Sequence, residues 1–418
     1  MRGRRRDGAR RGLIPAWVVA AAAMFACGWG GNQFTPLLTM YRQANGYSAT
    51  VVDALLGAYV LGLAPALLAG GPLSNRHGRR PVLMIGLASS VLGSAALAVG
   101  ALPFLAVGRL LSGIAVGLGM AVGTSWVTEL TAASGRSRAT GARRASLSLT
   151  AGFGLGAGVA GVMAQWGPLP ETLPYIVQLT VALAVLAAVS GCPDVRPTRS
   201  SASTSLRLRV PSLAHPRFRR LILPMAPWVF GTAGVAYAIV PQAMAGRVGH
   251  WALLYATVLT VATLGTGVLI QPVARRLDHS QHPRAILASM VAVSGGIAVA
   301  AAAVALRSPW WGAVAAVVLG AAYGVALVAG LVEVQRISRP EDRAALTGIY
   351  YALSYVGFLL PTVVAVVGRW LTTAVELGAL SAMALGCTLA IFSARRADPP
   401  APEQPAPGRH LDLTGAGV

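Results

Sequence analysis

The chain is partitioned into apolar blocks of about twenty residues, separated by short loops in which arginine is the dominant charge. A helix of that length spans roughly the 30 Å hydrocarbon core of a bilayer. Twelve such blocks can be drawn: Leu13–Leu38, Val51–Leu73, Val82–Ala101, Phe104–Val127, Ala145–Trp166, Leu173–Ser190, Leu221–Val240, Ala252–Val273, Ile286–Leu306, Trp311–Val334, Leu346–Val367 and Leu371–Phe392. Each is too long for a strand and apolar all round, so each is expected to be a membrane-spanning helix. Only 11% of residues are charged, against about 25% in soluble proteins. The abundance of Gly and Ala suits helices that pack closely in lipid.

The net charge is +21, and every basic residue is arginine. The arginines are not gathered on one domain, as a nucleic-acid-binding surface requires, but alternate with the apolar blocks. Loops after odd-numbered blocks hold only Arg42, Arg247, Arg307 and Arg369, Arg109 lies inside a block, and the others fall in the tails and the loops after even-numbered blocks. That asymmetry predicts both termini in the cytoplasm and an even number of crossings of the plasma membrane. The arginine-rich start resembles a signal peptide, but no small-residue cleavage site precedes a soluble domain, so a retained first helix is expected. Cys27, Cys192 and Cys387 are far apart and odd in number, with no metal-ligand spacing; free thiols are the expectation. No cofactor and no metal site is indicated.

From Cys192 to Pro216 the composition turns to Ser, Arg and Pro, with six blocks before and six after. The expected organisation is a six-helix bundle with a basic cytoplasmic tail (1–191), a cytoplasmic linker (192–217), a second six-helix bundle (218–396) and a disordered cytoplasmic tail (397–418). The halves echo one another. Gly71-Pro72-Leu73-Ser74-Asn75-Arg76 ends block 2 and Gln271-Pro272-Val273-Ala274-Arg275-Arg276 ends block 8, Glu129 closes block 4 and Glu333 closes block 10, and Gly154 to Trp166 is answered by Gly357 to Trp370. Parallel repeats of this kind accompany a substrate site between the repeats near mid-depth.

Between blocks 2 and 3 the chain reads G-P-L-S-N-R-H-G-R-R-P. Gly71 and Gly78 are expected to allow tight turns, with Arg76, Arg79 and Arg80 at the lipid–cytosol boundary. The segment resembles the loop between helices 2 and 3 of the major facilitator superfamily, G-x-L-x-D-R-x-G-R-R/K, with Asn75 where that family usually has Asp. The resemblance implies an all-α integral membrane protein of twelve transmembrane helices in two pseudo-symmetric bundles, working by alternating access. It also implies a locking role for this loop, in which Asn75 can accept a hydrogen bond but supply no charge.

Glu129 resembles the acid at the same place in sugar-type members and is expected to pair with Arg76, Arg80 or Arg138. Glu333 is expected to pair with Arg275, Arg276 or Arg343. Such pairs, closed when the transporter faces outward and broken when it faces inward, form the expected cytoplasmic gate. Arg109, with Gly113 four residues on, resembles the family's fourth-helix motif; a charge inside a span is costly and points to proton coupling or contact with a substrate anion, with snorkelling toward the external face as the alternative. Asp53, at the outer part of block 2, is the candidate buried acid for coupling, with a solvated first-turn acid as the alternative; Glu376 is read as a first-turn acid of block 12. The glycines of block 5 (Gly152, Gly154, Gly156, Gly158 and Gly161) resemble an exporter motif in part, with ordinary helix packing as the alternative.

Polar side chains inside spans tend to face a cavity. The expected lining is Asn32, Gln33, Thr124, Trp126, Gln178, Tyr237, Tyr323, Tyr351, Ser354 and Tyr355. No G-x-x-x-x-G-K loop is present, so a gradient rather than ATP is the expected driver. The histidines lie in loops and tails without a constellation, which argues against a polytopic membrane enzyme. The reading is a monomer whose partners are a proton, a small-molecule substrate and the lipid bilayer, and whose function is proton-coupled efflux, by antiport, of a small partly apolar molecule, with uptake of a metabolite or sugar-like solute as the alternative.

Overall fold

The computed structural model describes residues 14–194, 210–277, 284–339 and 342–397. The N-terminal basic tail, most of the expected linker and the expected C-terminal tail lie outside the described residues.

Joining helices interrupted only by a kink gives twelve helical runs among the described residues: α1 (16–45), α2 (Ala49–His77), α3 (Arg79–Val99), α4 (Leu102–Ala133), α5 (Arg138–Trp166), α6 (Leu173–Ser190), α7 (218–248), α8 (252–277), α9 (Arg284–Ala305), α10 (Pro309–Ile337), α11 (343–367) and α12 (Thr373–Ala397). Ten segments are long and apolar enough to cross a membrane by length and composition. One of these, Phe218–Leu277, reverses at Gly249 and contains both α7 and α8. Ala16–Asn32, of 17 residues, lies just outside the ten.

The boundaries follow from local chemistry. Ser48 and Ser137 accept hydrogen bonds from the backbone N–H of Val51 (3.3 Å) and Thr140 (3.2 Å), capping α2 and α5. Pro103, Pro174 and Pro309 occupy first-turn positions, where the missing N–H is not needed. Short 3₁₀ turns at Thr35–Leu37 and Gly357–Leu359 kink α1 and α11, and π-helical turns at Gly119–Gly123 and Val235–Ile239 kink α4 and α7.

The packing repeats with an offset of six helices. In the first half α2 packs on α4, α3 on α4, α1 on α5 and α3 on α6; in the second, α8 packs on α10, α9 on α10, α7 on α11 and α9 on α12. The principal contacts between halves obey the same rule, α5 against α8 and α2 against α11. The closest approaches need glycine: a Cβ on Gly113 of α4 would come within 2.0 Å of the Tyr59 carbonyl oxygen of α2.

The turn between α2 and α3 is tighter than the sequence suggests. Gly71 is helical, inside α2, so the reversal rests on Gly78 alone, at φ +99°. Asp194, at the end of the first half, accepts a hydrogen bond from the Arg80 backbone N–H (3.1 Å). Any side chain at position 78 would collide with that carboxylate. The three cysteines are free, Cys27 and Cys192 buried and Cys387 half-buried.

Candidate functional site

Between the halves lies a cavity of about 910 Å³, its mouth included, lined by α1, α2, α4, α5, α7, α8, α10 and α11. One wall is aromatic. The Phe230 ring stacks on Tyr355 (centroids 4.1 Å apart, planes at 20°) and on Phe358 (5.1 Å, 20°), with Tyr323 at 5.5 Å. Tyr59 reaches across from the first half, edge-on to Tyr355 and Phe358. Tyr237 stands beside Phe358, placed by the π-helical turn of α7.

Opposite this wall sits one charge. Arg109 of α4 is buried, 1% exposed, and lines the cavity. Its guanidinium lies 4.4 Å from the centre of the Tyr59 ring and 5.0 Å from that of Phe34. Nη1 donates to the Gly31 carbonyl at 3.0 Å, and Nε lies 3.4 Å from that of Leu55. No described residue accepts a hydrogen bond from Nη2, and no carboxylate among the described residues pairs with this cation. A buried guanidinium carries donors in a planar fork that matches a carboxylate. Buried charges are ordinarily paired; this one lines the cavity.

Of the expected lining residues, Asn32, Tyr237, Tyr323, Tyr351 and Tyr355 do line the cavity. Asn32 is also occupied structurally, donating to the Phe153 carbonyl and accepting from Thr35. The other five do not line it. Gln33 and Gln178 belong to a buried network inside the first half: Gln33 donates to Ser94, Ser94 to Gln178, and Gln178 to Ser90 and the Ala26 carbonyl. In an apolar bundle such groups turn to one another, although Gln33 Oε1 has no partner among the described residues. Ser354 bonds back to the Tyr350 carbonyl, Trp126 is buried, and Thr124 is exposed away from the cavity. Phe230 and Phe358 were missed because polarity was the criterion, and Tyr59 was passed over although it met that criterion; the i, i+4, i+7 spacing of Tyr351, Tyr355 and Phe358 was the available signal.

The ends of the molecule differ. At the end opposite Gly78, Gln242 of α7 accepts from Arg42 Nη1 (2.7 Å) and donates to Asp53 (2.8 Å), joining the halves. Thr50 donates to the Ala365 carbonyl (3.4 Å), and Gln165 bonds the His250 carbonyl and the Leu254 N–H. Beside the cavity, Tyr355 donates across the halves to Met120 Sδ (3.5 Å).

At the Gly78 end the charges pair within each half, and not as expected. Glu129 pairs with Arg79 (3.1 Å), not with Arg76, Arg80 or Arg138. Arg79 also donates to Ser74 and to Asn75 Oδ1 (2.9 Å), so the Asn at this position holds the arginine as a neutral acceptor. Arg80 is committed to the Ser190 and Cys192 carbonyls, and Arg76 is exposed. The described ion pairs of Glu333 run to Arg217 (2.8 Å) and Arg336 (2.8 Å) rather than to Arg275, Arg276 or Arg343. Arg275 and Arg276 are exposed at the end of α8. The Arg79–Glu129 and Glu333 pairs stand formed while the opposite end is sealed, and neither bridges the halves. Neither pair by itself therefore ties one half to the other at this end. Pairs internal to one rigid half are not strained by a rocking motion between halves.

The family model described as Major Facilitator Superfamily matches residues 18–362. A gallate transporter of Pseudomonas putida is 34% identical over 125 residues, 29% of this chain and 26% of that protein. The chain thus matches about a quarter of that relative's length. Among solved structures, the nucleoside transporter NupG superposes with a TM-score of 0.67 at 13% identity, over 91% of this chain and 99% of that one. The inward-open xylose transporter XylE from E. coli gives 0.69 at 14%, over 93% and 97%. At such identities the likeness is one of fold.

Proposed function

The chain belongs to the Major Facilitator Superfamily, and we propose that it is a secondary transporter carrying a small aromatic carboxylate by alternating access. Its twelve runs are taken as twelve crossings of the plasma membrane, with both termini cytoplasmic and the bundles 1–191 and 218–396 joined through 192–217. The end sealed by Gln242 is then external, and this conformation faces inward.

The observation that carries the substrate class is Arg109. Its unpaired guanidinium faces a cavity whose opposite wall is stacked aromatic rings. A planar acid fills both demands, its carboxylate on the guanidinium and its ring against Phe230, Tyr355 and Phe358. The partial likeness to a gallate transporter supports this reading.

Proton-coupled uptake is the direction proposed. Three of the α5 glycines have a packing role: a Cβ on Gly152 or Gly156 would strike the backbone of Phe25 or Trp29 in α1, and one on Gly161 would strike Thr257 of α8. Gly154 has open space around it and Gly158 makes an ordinary contact with Val261, so close packing does not explain those two.

The test is uptake of radiolabelled gallate and 4-hydroxybenzoate into proteoliposomes under an imposed inward proton gradient. Accumulation that collapses with a protonophore, and is absent in Arg109→Gln, is expected. Equal transport of a neutral sugar, or full activity in Arg109→Gln, would overturn the reading.

A further inference from the structure

A second, polar pocket lies at the sealed end, between α1, α2, α7, α11 and α12, and contains two buried acids, Asp53 (2% exposed) and Glu376 (4% exposed). Their surroundings differ. Asp53 accepts a hydrogen bond from Gln242, whose amide oxygen in turn accepts from Arg42. Glu376 has neither a donor nor a cation: both carboxyl oxygens are buried without a hydrogen-bond partner among the described residues. They lie against Gly368, at the end of α11.

The charge balance of the pocket is one positive charge short. Arg42, Asp53 and Glu376 are its ionisable lining residues. Arg369, beside Gly368, Arg307, in the turn between α9 and α10, and Arg247, on α7, lie at the same end and are exposed. With both acids ionised, Arg42 faces two negative charges. The carboxylate that receives a donated hydrogen bond is the one suited to stay charged, and a buried carboxyl with no donor is suited to be neutral.

We propose that Glu376 carries a proton in the externally sealed state, and that its release to the outside opens the Asp53–Gln242–Arg42 seal. This rests on the alternating-access reading but not on the identity of the substrate. Deprotonation leaves an uncompensated second negative charge beside Asp53, and opening the pocket to water relieves it. Rising external pH therefore favours the open end.

The experiment uses the full chain in right-side-out vesicles with no substrate present, so failure of the aromatic-acid reading cannot alter its outcome. Native cysteines are replaced by Ser. A reporter, Ala243→Cys, which lines the pocket, is labelled from outside with an impermeant maleimide. Its rate is divided by that of an exposed reference, Ala44→Cys, to cancel the pH dependence of thiol reactivity. The ratio is expected to rise as external pH is raised from 5.5 to 8, and to stay low and flat in Glu376→Gln. A pH-independent ratio in the otherwise native chain overturns the proposal even where the variant does not fold. So does a pH response retained in Glu376→Gln, or a ratio set by exchanging Na⁺ for choline at fixed pH, which would assign the pocket to a metal cation.

Discussion

Gln242 and Asp53 are 189 positions apart in the chain and hydrogen-bonded at 2.8 Å, from Nε2 to the carboxylate. With Arg42 on the other side of the same amide, this contact ties α7 to α1 and α2 and closes one end of the central cavity.

Gln242→Ala removes both bonds. At about 0.5–1.5 kcal/mol net each, their loss shifts the balance between sealed and open states by roughly 5- to 150-fold. External labelling of the Ala243→Cys reporter's neighbour, Ala365→Cys, checks this, and an unchanged rate would show that the seal is held elsewhere.

Arg109→Gln keeps much of the side-chain length and removes the charge. Loss of a charge-assisted hydrogen bond, worth about 1.5–3 kcal/mol, weakens binding of an aromatic carboxylate by about 10- to 150-fold. Arg109→Lys restores the charge but not the planar fork, and recovers only part of it. Ligand-induced thermal stabilisation of the purified protein reads both variants.

Phe230→Leu keeps the cavity wall apolar but removes the ring that stacks on Tyr355 and Phe358. Aromatic pairs contribute about 0.5–1.5 kcal/mol beyond area. The variant is expected to lose roughly 2- to 12-fold in affinity for benzoate-like acids, with little change for a short aliphatic carboxylate. Competition binding between the two classes tests it.

Gly113→Ala places a methyl group 2.0 Å from the Tyr59 carbonyl oxygen. Neither backbone can yield without moving α2 from α4, so overpacking costs about 1–3 kcal/mol or more. A lower melting temperature in detergent is the expected result, whereas Gly154→Ala, with open space around it, leaves it unchanged.

Arg79 and Glu129 are expected to fail a charge-swap rescue. Arg79→Glu combined with Glu129→Arg restores opposite charges but leaves Ser74 and Asn75 without the guanidinium they share. The double variant stays less stable than the native chain in a thermal double-mutant cycle; full recovery would reduce the cluster to a simple ion pair.

The twelve helical runs were legible from the chain because hydrocarbon imposes one rule: each crossing segment must be apolar and must satisfy its own backbone. Block order and Gly78 express that rule locally, but the helical runs overshoot the blocks by up to eight residues, as in α7, because helices continue past the apolar core. Which face a polar side chain presents is another matter. Gln33 and Gln178 read like cavity residues and instead bond to Ser94 and Ser90 within one bundle, while Phe230 and Phe358 read like packing and form the cavity wall. Glu129 had several arginines within reach along the chain, and the fold brought it Arg79. Helix rotation and pairing decide such partners, through contacts between residues far apart in sequence. Arg109 shows both sides: its presence within an apolar block marked it as costly and functional, but only the packing of α1, α2 and α4 around it left that charge without a partner and facing a wall of rings.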